Sequence, residues 1–194
     1  MVHWDAMTST AEPRPMRADA RRNRRRVLDA ARTAFEEGGA EVQMEDIARR
    51  AGVGVGTIYR HFPTKQALVD ELIVEWLADG AANAAESLRI DDPWEGLAHY
   101  VRLSSDVMSR NRGLRMVFGD IGLLFDENTG RENRELHDNV ARLLDRAHAA
   151  GTLRADIGLH EFRALMCGLA MAVSLADPEG RRVYTDVFLR GMRA

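Results

Sequence analysis

Thr57, Tyr59, Arg60 and His61 fall within five consecutive positions. Three of them carry hydrogen-bonding groups and one a permanent cation. That set suits phosphate oxygens and the edges of bases. Lys65, the only lysine in the chain, lies four positions beyond His61. Upstream, Arg14, Arg17, Arg21, Arg22, Arg24, Arg25 and Arg26 stand against Asp19 alone, seven cations to one anion over residues 14–26. Such a run is either an arm for a minor groove or the solvated start of a helix. Of the seven, Arg21 to Arg26 lie nearer the donor cluster, so Arg21, Arg22, Arg24 and Arg25 are the candidates for phosphate contact.

The charge balance places any polyanion at the front of the chain. Residues 1–65 hold 12 basic and 9 acidic side chains; residues 66–194 hold 15 and 21, for a whole-chain net of −3. With 194 residues, 45% hydrophobic and 29% charged, the composition is that of a globular protein of one or two domains. Cys167 is the single cysteine, which excludes an internal disulfide and a cysteine-based zinc cluster. The six histidines form no HExxH pair, so no metal and no cofactor are expected. The longest uncharged stretch, 164–176, is too short to span a bilayer, so no membrane partner is expected. No apolar run precedes the first charges, so a cytoplasmic setting is the expectation.

The elements that must position these groups read as helices throughout. Residues 1–19, with Pro13 and Pro15 and no periodicity, read as a disordered tail. Val27, Leu28, Ala31 and Phe35 then recur at helical spacing until Gly38 and Gly39. Thr64 can cap a long helix carrying Leu68, Leu72, Trp76 and Leu77. Asp92-Pro93 and Asp177-Pro178 supply two more starts, a cap followed by proline at the first helical position. Residues 114–125 are mostly apolar, residues 131–150 are periodic up to Gly151, and residues 159–175 are apolar on most of their surface. No strand pattern appears. The expectation is an all-α fold of about nine helices. After the tail, two divisions are expected, residues 20–66 and residues 67–194.

Residues 44–65 hold the clearest pattern. A short helix ends at Ala51, and Gly52-Val53-Gly54 offers a tight turn with two residues able to take positive φ. A second short helix follows to Phe62. Two short helices across a glycine turn make a helix-turn-helix. Ala48 is small where the helices cross, Val53 can plug the turn, and Ile58 and Phe62 point back to the first helix. Val55, Gly56, Thr57, Tyr59, Arg60 and His61 are left facing outward.

These residues resemble the TetR-type bacterial transcriptional regulators. The likeness rests on Asp46-Ile47-Ala48, Ala51-Gly52-Val53, the run from Gly56 to Phe62, and Lys65 with Leu68. It implies a third helix in the major groove, dimerisation through the last two helices, and a small-molecule effector bound by the C-terminal domain. It further implies phosphate contacts by Thr57, Tyr59 and Lys65, and sequence readout by Val55 and Arg60. Val55 can meet a thymine methyl, and Arg60 a guanine or a phosphate. Gly54 departs from the usual serine-like cap, and Gln43 and Met44 from the usual threonines, which removes hydroxyls that could meet phosphate. The stretch 147–156 is similar to the linker before the first dimer helix in one subgroup of the family.

Tyr100, Ser104, Met108, Phe118, Leu144 and His148 are the expected lining of an effector pocket between helices. A mainly neutral lining suits an uncharged or weakly polar effector. Phe162, Leu165, Met166, Leu169 and Val173, with Tyr184, Val187 and Phe188, form a wide apolar stripe. It can serve as a homodimer interface or as the core of a monomer, and the resemblance favours the dimer. Cys167 reads as a small core or interface residue rather than a redox sensor. A dinucleotide loop is excluded, since Gly52 follows a charged helix and Tyr59 stands where a third glycine belongs. The expected function is therefore a ligand-responsive repressor on a palindromic operator. An activator, or a DNA-binding protein without an effector, is the alternative, and an enzyme is not expected.

Overall fold

The computed structural model describes residues 14–110 and 130–194. Eight α-helices occupy the described residues: α1 Arg14–Gly38, α2 Met44–Ala51, α3 Val55–His61, α4 Lys65–Ser87, α5 Pro93–Arg110, α6 Gly130–Ala149, α7 Leu159–Leu175 and α8 Pro178–Met192. The all-α expectation holds. The apolar stretch 114–125, and Phe118 with it, lies outside the described residues.

The first helix corrects one boundary. It begins at Arg14, so residues 14–19 belong to α1 rather than to a tail. Pro15 is compatible with this, because a proline in the first turn forfeits a backbone donor that has no partner there. Local signals set the later ends. The Thr64 hydroxyl accepts from the Ala67 amide at 3.0 Å and starts α4. Asp92 accepts from Glu95 at 2.9 Å, and Asp177 from Gly180 at 2.8 Å, to start α5 and α8.

Two apolar clusters form. Val27, Ala31 and Phe35 of α1 pack with Ile47 and Ala48 of α2, Ile58 of α3, and Leu68 and Leu72 of α4. The second joins Leu77, Ala81 and Ala84 of α4 to Leu97, Val101, Val140, Leu143, Phe162, Met166 and Leu189. The helix α4 therefore belongs to both. The expected domain boundary at 66/67 falls inside its first turn, because Leu68, Val69 and Leu72 complete the N-terminal core. At 23 residues, α4 is roughly 34 Å long.

Its C-terminal end is anchored. Arg146 of α6 donates to the carbonyl oxygens of Leu88 at 2.6 Å, Ile90 at 2.8 Å and Asp91 at 3.0 Å. Beside it, α5 approaches so closely that a Cβ on Gly96 would lie 2.9 Å from the Ser87 carbonyl oxygen, a spacing only glycine permits. Behind α6, the chain end pairs back on the 152–154 segment: Arg154 donates to the Met192 carbonyl, and Ala194 to that of Thr152, both at 3.0 Å.

Candidate nucleic-acid interface and effector cavity

The turn between α2 and α3 follows from one glycine. Gly52 adopts φ 63° and ψ 38°, and its N–H returns to the carbonyls of Ala48 and Arg49. That left-handed residue ends α2 without steric cost. Gly54 does not share the role expected of it: its φ is −69°, open to any residue. It begins α3 through its carbonyl, which accepts from Thr57 at 2.8 Å and Ile58 at 3.2 Å. Inside the crossing, Ala48 and Ile58 are completely buried, and half-buried Val53 packs against the same cluster.

Burying Ile58 and Phe62 turns the opposite side of α3 outward. Val55 is 45% exposed and Tyr59 40%; Gly56 and Arg60 are exposed, and Thr57 and His61 half-buried. A side chain at Gly56 would meet nothing within 4 Å. Val55, Gly56, Tyr59 and Arg60 are the open positions of α3, with Thr57 and His61 at the margin. The Tyr59 hydroxyl donates to the Glu45 carboxylate of α2 at 3.1 Å. That hydrogen bond is the first reason the Tyr59 phenol titrates above its ordinary value.

The cations divide. Arg21 and Arg22 are exposed on α1, Arg22 pairing with Asp19 one turn earlier. Arg24 and Arg25 instead turn to α4. Arg24 lies 2.9 Å from Glu71, and Arg25 lies 3.0 Å from Glu75. Glu71 and Glu75 lie beyond the next two helices, outside any local pattern around residues 21–26, while Arg25 also pairs with Asp29 one turn along α1 at 3.1 Å. Lys65 donates to the Ala40 carbonyl and sits with its ammonium 5.6 Å from the Phe35 ring centroid. In this structure Lys65, Arg24 and Arg25 engage their own fold, whereas Arg21, Arg22 and Arg60 face solvent.

Behind this head, a cavity of about 50 Å³ lies among α4, α5, α6 and α7. Tyr100, Ser104 and Met108 line it. Leu144 and His148 do not. Leu144 is buried in the core, and His148 lies toward the end of α6 with its Nε2 3.1 Å from the Arg154 carbonyl oxygen. The walls add Trp76 and Asn83 of α4, His137 of α6, and Phe162 and Arg163 of α7. Tyr100 is buried, and burial pushes its phenol up while a Ser104 hydrogen bond opposes the shift.

The stripe on α7 and α8 also divides. Phe162, Met166, Leu169 and Val173 are buried in the core of their own chain, and half-buried Phe188 packs edge-on to Phe162 with ring centroids 6.5 Å apart. They are core residues, not surface. The opposite side of α7 exposes Leu165, Met171 and Leu175, and α8 exposes Val183, Tyr184 and Val187. Gly168 and Gly191 add positions where a side chain would meet nothing within 4 Å. The composition of α7 hid this division, since apolar residues on every side give no phase.

The chain belongs to the TetR family. Residues 27–72 match the profile of bacterial regulatory proteins of the tetR family, and residues 92–194 match the C-terminal domain of SbtR-like transcriptional regulators. A TetR transcription regulatory protein from Mycobacterium vanbaalenii is 34% identical, over 93% of this chain and 100% of that one, with a TM-score of 0.65. The RolR structure in complex with resorcinol shares the fold at 19% identity, with a TM-score of 0.59 over 91% of this chain and 90% of that one. An HTH-type transcriptional regulator of Staphylococcus aureus (strain USA300) is 46% identical over 54 residues, 27% of this chain. That match spans 29% of the curated relative's length. The chain is thus a DNA-binding transcriptional regulator, of a family that regulates rather than catalyses. Among the described residues, no helix is long and apolar enough to cross a membrane.

Proposed function

We propose that the protein is a homodimeric repressor that holds a two-fold symmetric operator and releases it when a small molecule enters the cavity. The observation that carries this reading is the shared helix α4. Its first turns complete the core of the head, and Trp76 and Asn83 further along form a wall of the cavity. A ligand that moves that wall acts on a helix built into the reading head.

Pairing of two copies fits the same reading. An α3 of seven residues touches only a few base pairs, each worth ~1–3 kcal/mol of discrimination. Two such helices on half-sites about 34–36 Å apart double that readout. The exposed apolar face of α7 and α8 is the surface through which two copies would pair. On the outward face of α3, Val55 is the contact for a thymine methyl, with Thr57, Tyr59 and His61 directed to the backbone and Arg60 to guanine or phosphate. Arg21 and Arg22 supply the flanking phosphate contacts.

The cavity favours a compact, weakly polar, ring-bearing effector. Trp76, Tyr100 and Phe162 provide flat apolar surface, with Asn83 and Ser104 as hydrogen-bonding groups. Resorcinol, in the RolR complex, is a molecule of that kind. A cavity of about 150 Å³ accepts benzene, so an effector of that size would have to enlarge the 50 Å³ found here. This enlargement is what would distinguish the two states energetically.

Selection of fragmented genomic DNA by the purified protein at ~150 mM salt tests the reading. Recovery of one or a few palindromic sites is the expected result. Binding that shows no sequence and disappears as salt is added overturns it. A thermal-shift screen with small aromatic alcohols and phenols then tests the effector. Stabilisation that accompanies release of the recovered operator supports control by a ligand; stabilisation that leaves operator affinity unchanged refutes it.

A further inference from the structure

Arg24 makes three contacts, two at the end of α3 and one on α4. Its guanidinium carbon sits 4.5 Å from the centroid of the Phe62 ring. Its Nη1 donates to the carbonyl oxygen of His61, the last residue of α3, in a long bond of 3.4 Å. Its Nη2 lies 2.9 Å from the carboxylate of Glu71 on α4. Phe62 is itself 1% exposed and ends α3 through its own N–H, 2.8 Å from the Ile58 carbonyl oxygen. One side chain of α1 thus grips the end of α3 and fastens it to α4. The contacts suit the chemistry. The last carbonyls of a helix lack internal partners and carry partial negative charge, which a cation satisfies. A ring face attracts the same cation.

One turn further along α4, Glu75 repeats the arrangement. Its Oε1 lies 3.0 Å from Arg25 and its Oε2 3.0 Å from Arg32, so both oxygens are engaged by α1. The next residue is Trp76, which lines the cavity. Glu71 and Glu75 therefore lie between the cavity wall and the reading helix.

We propose that Arg24 is a positioning residue for DNA recognition rather than a phosphate contact. With Glu71 it sets the orientation of the α3 end against α4, and it is the link through which a displacement of α4 reaches α3. The inference rests on the reading that α3 meets DNA and that α4 responds to the effector.

The two roles give opposite signs at Glu71. If Arg24 contacts phosphate, Glu71 competes for it, and Glu71→Gln tightens DNA binding. If Arg24 positions α3, Glu71→Gln weakens it. The experiment uses the full chain and the operator duplex recovered from genomic fragments, with a mixed-sequence duplex as reference. Affinities are measured over a salt series for Arg24→Gln, Glu71→Gln and the double variant. The expected result is a two- to fivefold loss on the operator for either single variant, the scale of a half-exposed ion pair. The mixed-sequence duplex is unaffected by Arg24→Gln. The double variant is no worse than the singles. The slope of log affinity against log salt stays that of the unsubstituted protein. A slope flattened by about one in Arg24→Gln, or a gain in affinity in Glu71→Gln, overturns the proposal. Circular dichroism accompanies each variant. Should Arg24→Gln unfold, the sign of the Glu71→Gln effect still decides. An unsubstituted protein that selects no site removes the underlying reading before any variant is made, so the two failures are distinct.

Discussion

Val187 offers the sharpest test of pairing through α7 and α8, because its contribution can be worked from its exposure. The side chain is 63% exposed in the single chain, on the outer face of α8. Val187→Ala removes two methyl groups, each worth ~0.8 kcal/mol when fully buried. Scaled to the open share of the residue, the loss is ~1 kcal/mol per protomer. A two-fold interface counts it twice, ~2 kcal/mol, or roughly a thirtyfold rise in the dimer dissociation constant. The core of each chain is untouched, so circular dichroism and the thermal midpoint at high protein concentration should stay close to the unsubstituted values. Sedimentation equilibrium over a concentration series reads the dissociation constant directly. Val74, 44% exposed on α4, supplies the control, and Val74→Ala leaves the constant unchanged. An unsubstituted chain that sediments as a monomer, or a Val187→Ala variant that associates with unaltered affinity, refutes the pairing surface.

Three further outcomes follow from the local geometry. Gly52→Ala forces a Cβ into the left-handed region and should destabilise the head by ~1–2 kcal/mol, whereas Gly56→Ala, in an unobstructed helical position, should stabilise it by ~0.4–1 kcal/mol. Urea titration checks both, and equal effects at the two sites would refute the distinction. Phe62→Ala removes a ring that is 1% exposed, and should cost ~3–5 kcal/mol by the same titration; a loss under about 1 kcal/mol would show that the ring is not a core element. The Arg154 guanidinium, by hydrogen bonding first, holds the exposed Asp156 carboxyl below its usual value of 3.8. Its small stabilising effect is present above that value and is lost as pH falls through the lower, folded one. An NMR titration should show the Asp156 midpoint rising in Arg154→Gln, and an unmoved midpoint would contradict the pairing.

What the sequence made legible was what local chemistry decides. The caps at Thr64, Asp92 and Asp177 formed because each side chain bonds an amide three residues on, whatever the rest of the fold does. The turn at Gly52 and the outward set from Val55 to His61 followed from period and glycine conformation. The facing of α7 did not follow, because a helix apolar all round has no phase until its neighbours are placed. Phe162 and Met166 went inward while Leu165 and Met171 went outward, a division decided by α5 and α8. The cavity was half legible for a similar reason. Tyr100, Ser104 and Met108 share one face of α5, but Trp76, Asn83, His137 and Arg163 join them only through how the helices cross. Glu71 and Glu75, the partners that Arg24 and Arg25 find on α4, were hidden by distance along the chain, since charge counting sees a cationic run and not the carboxylates folded against it.

The clasp of Arg146 on the backbone beyond α4 has a mechanical meaning. A rod held at one end turns about that end. From Ser87, Trp76 lies roughly 17 Å along the helix axis and Lys65 roughly 33 Å, at 1.5 Å per residue. A push at Trp76 would therefore sweep the head end of a rigid α4 about twice as far as the push itself. Were α4 to pivot in this way, the clasp would set a gain of about two, fixed by where the fulcrum sits. Loosening Arg146 would lower that gain without touching either the cavity or the reading face.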